Sequence, residues 1–285
     1  MLRKTTLTIS ALLILASANV QAIEACKTSL AQHSTDKNKT GKPALILYTN
    51  SKDEDLSDED KESYSIDAAI SLNCASSDDS TSEYLFAVEG HKNDLTSKES
   101  DSLAFRAGWS LELSEYAFLA TSLAHVTDNV KNTKSIQVIA DVDFYSEDYY
   151  INNYYLGSSW AFTWSPVLAV EYENFIDAED SKEGNVIRAM FGVGAQLHFF
   201  ENKEKEFYRV VVDINHTYWN NLSDDDKLVL PDDHEQTTFE ARYIIDKSDS
   251  FEVSLAYKWS NGEDIRNKLA DQEYEQVGLG LNFSF

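Results

Sequence analysis

The sequence predicts an all-β fold, an antiparallel transmembrane β-barrel of about twelve strands, and three observations carry that expectation. Beyond the first 22 residues, no apolar run reaches the roughly 18–20 residues that a membrane helix requires. Segments of strict apolar–polar alternation recur along the chain with no helical pattern between them. The connections between these segments alternate in length, as in barrels whose periplasmic turns are short and whose external loops are long.

The N-terminal 22 residues read as a secretory signal peptide: Arg3 and Lys4 precede an apolar run over 9–16, and Ala18-Asn19-Val20-Gln21-Ala22 supplies small residues at a cleavage site. Ala25 before Cys26 resembles a lipoprotein signal, but Glu24 places a charge where such a signal is apolar. The formal net charge is −25, from 24 basic and 49 acidic residues, so a nucleic-acid partner is excluded on electrostatic grounds. Aromatic residues make up 12% of the chain, against the composition of a disordered segment. Cys26 and Cys74, the two cysteines, are the candidates for one disulfide in an exported chain.

In the N-terminal half two registers each give about twelve strands. The first has strands over 62–73, 83–91, 102–113, 115–126 and 134–145, leaving 23–61 outside the wall as a periplasmic or lumen-plugging segment. The second begins with a strand at 44–49 and moves 134–145 into an external loop; a Cys26–Cys74 bond favours it, because it brings Cys74 to the periplasmic side. The run over 50–62 is too charged to bury and reads as a solvated loop or linker. Strands are expected over 149–162 and 167–175, joined by a turn at Thr163-Trp164-Ser165-Pro166.

Alternation is cleanest after residue 186. Ile187, Ala189, Phe191, Val193, Ala195, Leu197 and Phe199 face away from Arg188, Met190, Gly192, Gly194, Gln196 and His198. Val210, Val212 and Ile214 oppose Arg209, Val211, Asp213 and Asn215; Phe239, Ala241, Tyr243 and Ile245 oppose Glu240, Arg242 and Ile244. Phe251, Val253, Leu255, Tyr257 and Trp259 oppose Glu252, Ser254, Ala256, Lys258 and Ser260. In 273–285, Val277, Leu279, Leu281, Phe283 and Phe285 oppose Gln276, Gly278, Gly280, Asn282 and Ser284. Tyr208, Tyr218, Trp219, Tyr257, Trp259, Phe283 and Phe285 lie toward strand ends, as aromatic girdles at a lipid–water boundary do.

Basic residues share the polar faces of these strands. Arg106, Arg188, Arg209, Arg242 and Lys258, with Glu112, Asp213, Glu240 and Glu252 among them, are the candidate lumen-lining residues. Opposite charges on one inner wall either line a hydrated pore or hold a plug. The acidic pairs Asp224-Asp225-Asp226 and Asp232-Asp233 lack the glycine and terminal glutamate of a calcium loop, and no metal or cofactor is expected.

A chain ending on an apolar alternating strand with a terminal Phe resembles the outer-membrane barrels of Gram-negative bacteria, whose assembly machinery recognises that strand; Phe283 and Phe285 match that position. With so little chain outside the expected wall, it resembles in particular the solitary autotransporter-type barrels. The resemblance implies integral residence in the outer membrane after export through the periplasm. It also implies outer-membrane lipid and lipopolysaccharide as surroundings, and a porin-like small-solute channel or structural surface role. Barrel phospholipases and lipid A deacylases use a His-x-Ser pair, which none of the six histidines offers. Asp141-Val142-Asp143 and Asp232-Asp233-His234 do resemble the Asp-x-Asp and Asp-x-His of omptin-type barrel proteases, which leaves an external-rim peptidase as the enzymatic alternative. A surface adhesin or receptor would act through loops 221–234 and 261–272.

Overall fold

The computed structural model describes residues 23–32, 42–51, 62–76, 82–93, 99–157, 159–178, 183–202, 207–224, 232–248, 250–264 and 269–284. The expected signal peptide, Phe285 and the tips of most loops lie outside the described residues. Fourteen strands form one antiparallel sheet: β1 (Ile23–Ala31), β2 (Ala44–Ser51), β3 (Glu62–Ser76), β4 (Ser82–Asn93), β5 (Ser100–Ser114), β6 (Ala117–Asp128), β7 (Thr133–Phe144), β8 (Tyr155–Leu156), β9 (Trp160–Ala178), β10 (Gly184–Asn202), β11 (Phe207–Asp224), β12 (Asp233–Ser248), β13 (Phe251–Asp264) and β14 (Leu269–Ser284). Each long strand pairs with its sequence neighbours, and β14 returns to pair with β1 and β2, so the sheet closes and leaves no long edge.

The wall has twelve staves because β1 and β2 share one position between β14 and β3. β1 pairs with the second half of β3, from Ile23↔Ser76 to Ala31↔Ala69, and β2 continues along the first half, from Leu45↔Asp67 to Asn50↔Glu62. Between them the backbone N–H of Gln32 donates to the carbonyl of Lys42 at 2.8 Å, so the chain leaves and rejoins the stave at one point. Both expected registers are thereby corrected: residues 23–31 and 44–51 both belong to the wall, and so does 133–144. The segment 23–61 is therefore not simply a plug or a periplasmic extension. Cys26 faces Cys74 across the β1–β3 ladder, and the two are joined by a disulfide.

The expected turn over 163–166 is absent. β9 runs unbroken from Trp160 to Ala178, and the count of twelve survives because this merger offsets the extra stave at the start. Pro166 is tolerated because β7 stops beside Val167, so the missing N–H faces no β7 partner. Below that point the 145–159 connection fills the wall: Ile151 bridges Trp164, and β8 pairs with Ala161 and Phe162.

Polarity is inverted relative to a water-soluble barrel. Outward positions carry exposed Ile46, Ile66, Phe86, Phe105, Val170, Phe191, Tyr243, Leu255 and Leu279, while the inward faces bury Asp67, Glu89, Arg106, Glu171, Arg188, Asp213, Glu240, Arg242 and Lys258. An apolar exterior of this extent is destabilising in water and stabilising in hydrocarbon. Exposed aromatics collect near both ends, among them Tyr116, Tyr149 and Trp160 at the end that carries Ile23 and Ser284, and Tyr48, Tyr64 and Tyr218 at the opposite end. Gly278 serves the closing seam, because a Cβ there would run into the carbonyl of Ile46 on β2.

Candidate functional site: the barrel lumen

Alternation along each strand sends every second residue inward, and the register then decides which inward residues meet. At the centre of the β11–β13 wall, Arg242 is 1% exposed and contacts three carboxylates: Asp213 at 3.3 Å, Glu240 at 3.1 Å and Glu252 at 3.2 Å. These lie on three adjacent strands, since Asp213 pairs with Glu240 across β11–β12. Gln196 extends the chain onto β10 by donating from Nε2 to Asp213 at 2.6 Å. Lys247 approaches Glu252 at 3.6 Å from the end of β12. Desolvation makes each of these charges costly, and only mutual pairing holds them inside.

Three further clusters follow the same rule. Arg188 on β10 binds Glu171 at 2.7 Å and Glu173 at 2.8 Å on β9, and Ser135 of β7 donates to Glu173 at 2.6 Å. Arg106 on β5 meets Glu89 on β4 at 3.3 Å and donates to the Ser122 hydroxyl on β6 at 3.2 Å. Lys258 on β13 reaches across β14 and β2 to Asp67 on β3 at 3.1 Å, and His91 contacts the other Asp67 oxygen at 3.3 Å. That reach is possible because β2 presents Leu45 and Leu47 inward, which pack with Ala256 beneath the polar contacts. Gln32, at the break in the first stave, also donates to Asp67 at 3.4 Å.

The inner surface is open mainly at the end that carries Ile23 and Ser284. There the inward residues Gly108, Glu112, Phe118, Ala120, Ser122, Asp141 and Asp143 of β5–β7 are half-exposed, whereas the inward residues of β10 and β13 are buried. A vestibule therefore enters along β5–β7 and narrows where the ionic clusters fill the interior.

The sequence-derived lumen residues fall into place unequally. Arg106, Arg188, Arg242, Lys258, Asp213, Glu240 and Glu252 lie in the clusters, and Glu112 lines the vestibule. Arg209 does not join them: its guanidinium donates to the carbonyls of Ile244 and Ile245 and lies 5.8 Å from the Tyr243 ring, which faces outward. The register of β12 against β13 shifts between Ile244 and Asp246, and Arg209 takes carbonyls beside that irregularity. Trp219 is also corrected, from outer girdle to interior, where it is 3% exposed and packs with Ala169 and Met190. Glu89, Glu171, Glu173, Asp67 and His91 were not singled out, although alternation with outward Phe86, Val88, Val170 and Tyr172 marks all but Asp67 as inward.

The omptin-like residues do not assemble. Asp141 sits on β7 and His234 on β12, four staves apart, which is about 19 Å along the wall at ordinary strand spacing. The Ala169–Met190–Trp219 cluster lies between them, and His234 instead contacts Glu263 at 2.6 Å. Among the described residues no group of three or more His, Cys, Asp or Glu is placed to hold a metal ion. Asp225 and Asp226 lie outside the described residues.

No protein-family model matches this sequence, and no curated protein does. Among solved structures the chain is similar in shape to the NanC porin, with 6% identity, TM-score 0.45, and 83% of this chain and 98% of that one covered. The β domain of the Bordetella autotransporter Brka gives 8% identity and TM-score 0.44, covering 93% and 100%. The translocator domain of the autotransporter NalP from Neisseria meningitidis gives 7% identity and TM-score 0.43, covering 98% and 95%.

Proposed function

We propose that this chain is an integral outer-membrane barrel that passes small hydrophilic solutes and favours cations. The observation that carries the reading is the inversion of polarity around a closed wall: apolar residues and aromatic collars outside, ion pairs and polar side chains inside. Lipid matches the first surface and a hydrated lumen the second. The N-terminal signal provides export, Phe283 on the last strand and the following Phe285 are the contact for assembly, and lipid and lipopolysaccharide surround the finished wall. Because 23–31 and 44–51 form a stave, the N-terminal segment is part of the barrel and not a cargo.

Preference for cations follows from the vestibule. On the β5–β7 wall of the vestibule the half-exposed inward charges among the described residues are the carboxylates Glu112, Asp141 and Asp143, whereas the neighbouring cation Arg106 is buried against Glu89. A wall of one sign raises the local concentration of the opposite ion. Liposomes carrying the refolded protein are expected to swell faster with a small cationic solute than with an anion of equal size. The double substitution Asp141→Asn, Asp143→Asn should narrow that preference several-fold while leaving uptake of a neutral sugar unchanged. Liposomes that contain folded protein and do not swell with any solute would make the barrel a sealed structural component instead.

A further inference from the structure

The 145–159 connection is the longest between strands of the wall at its end of the barrel. It follows the shortened β7 and occupies the wall beneath it, with Tyr154 turned into the lumen. The Tyr154 hydroxyl donates to Gln196 Oε1 at 2.5 Å, and its ring packs edge-on against His198 at 5.0 Å between centroids. Gln196 in turn donates to Asp213, which accepts from Arg242. One hydroxyl thus ties a surface segment to the central ionic cluster.

The rest of the segment is held by isolated bonds and not by a long ladder. β8 supplies two paired residues, against sixteen between β9 and β10. Tyr150 and Asn152 have φ of +56° and +49°, the left-handed region that a tyrosine adopts only under strain. Its remaining anchors are single bonds, among which Asn152 N–H donates to the Trp164 carbonyl at 2.8 Å, Trp164 N–H and the Thr163 hydroxyl each to the Tyr150 carbonyl at 3.2 Å, the Trp164 indole to Tyr149 at 2.8 Å, Gly157 N–H to the Trp160 carbonyl at 2.8 Å, Phe200 N–H of β10 to the Ser159 carbonyl at 2.9 Å, and Tyr145 N–H to the Tyr116 carbonyl at 2.9 Å. Tyr149 and Leu156 on it are 71% and 59% exposed.

We propose that residues 145–157 form a strap that reversibly covers the β9–β10 side of the lumen, with Tyr154 as its latch. Latched, the strap covers Ala161 and His198, which are 2% and 1% exposed, and fixes Gln196 so that it holds Asp213 toward Arg242. Released, it uncovers that face and frees Asp213 to move, which widens the passage at its narrowest point. The inference rests on the channel reading for its consequence but not for the motion itself.

The test separates the two. Both native cysteines are in the disulfide, so an Ala161→Cys variant carries a single reactive thiol on the covered face. In proteoliposomes, labelling of that thiol by a membrane-impermeant methanethiosulfonate is expected to be slow, and to rise about tenfold when Tyr154→Phe removes the latch hydroxyl, the population change that loss of one net hydrogen bond produces. Tyr154→Ala should raise it further, and both substitutions should increase single-channel conductance. Accelerated labelling without any conductance supports the strap and contradicts the channel. Unchanged labelling in Tyr154→Phe and Tyr154→Ala proteins that retain the heat-stable folded form overturns the strap.

Discussion

Replacing Arg242 by alanine is expected to destabilise the folded barrel by about 3–5 kcal/mol, the cost of stranding buried charge when one partner of an ion pair is removed. The effect is large because one guanidinium serves Asp213, Glu240 and Glu252, whose side chains are 4%, 3% and 7% exposed. Without it three carboxylates on adjacent strands repel one another in a site that water reaches poorly. Arg242→Lys should recover part of the loss, since an ammonium restores the charge but cannot fork to three partners. Urea unfolding in lipid vesicles, followed by the electrophoretic shift between folded and unfolded barrel, measures both. A change under 1 kcal/mol in Arg242→Ala would show that the cluster is hydrated and not structural.

Conversion of Cys26 and Cys74 to serine is expected to cost about 4 kcal/mol, from the loop-closure entropy of a cross-link spanning 48 residues. The bond matters beyond its loop length, because β1 is cut off from β2 by the interruption at Gln32 and, among the described residues, pairs with β14 at two positions. The disulfide pins β1 into the stave at the half of the strand farther from Gln32. Dithiothreitol should reproduce the loss in the native protein and leave the double serine variant unaffected. Loss of stability on reduction in both would place the effect elsewhere.

Much of this architecture was legible in the sequence. Period-two alternation identifies β10 to β14 and their inward faces, because lipid outside and polar contacts inside impose opposite demands on neighbouring residues. What failed was whatever depends on a partner strand. Pro166 reads as a turn until β7 is seen to stop beside Val167. Arg209 reads as a lumen residue until the irregularity in the β12–β13 register is seen to leave carbonyls within its reach. The strands also run further than their apolar cores, since pairing continues into polar residues such as 220–224 on β11 and shortens the loops accordingly. Of the first stave only the 44–49 part was legible, in one of the two registers, because two short strands share the stave and neither is long enough to span alone. The carboxylate partners of the basic residues sit at inward positions, but only the register joins Arg188 to Glu171 and Lys258 to Asp67.

The central claim is that the lumen is a water path through the membrane. Single-channel recording of the refolded chain over residues 23–285 in planar bilayers, under a potassium chloride gradient, tests it most directly. The account predicts discrete conductance steps whose reversal potential has the sign of potassium over chloride, moving toward zero in the Asp141→Asn, Asp143→Asn variant. Silent bilayers containing protein shown to be folded, or a reversal potential of chloride sign, would contradict it.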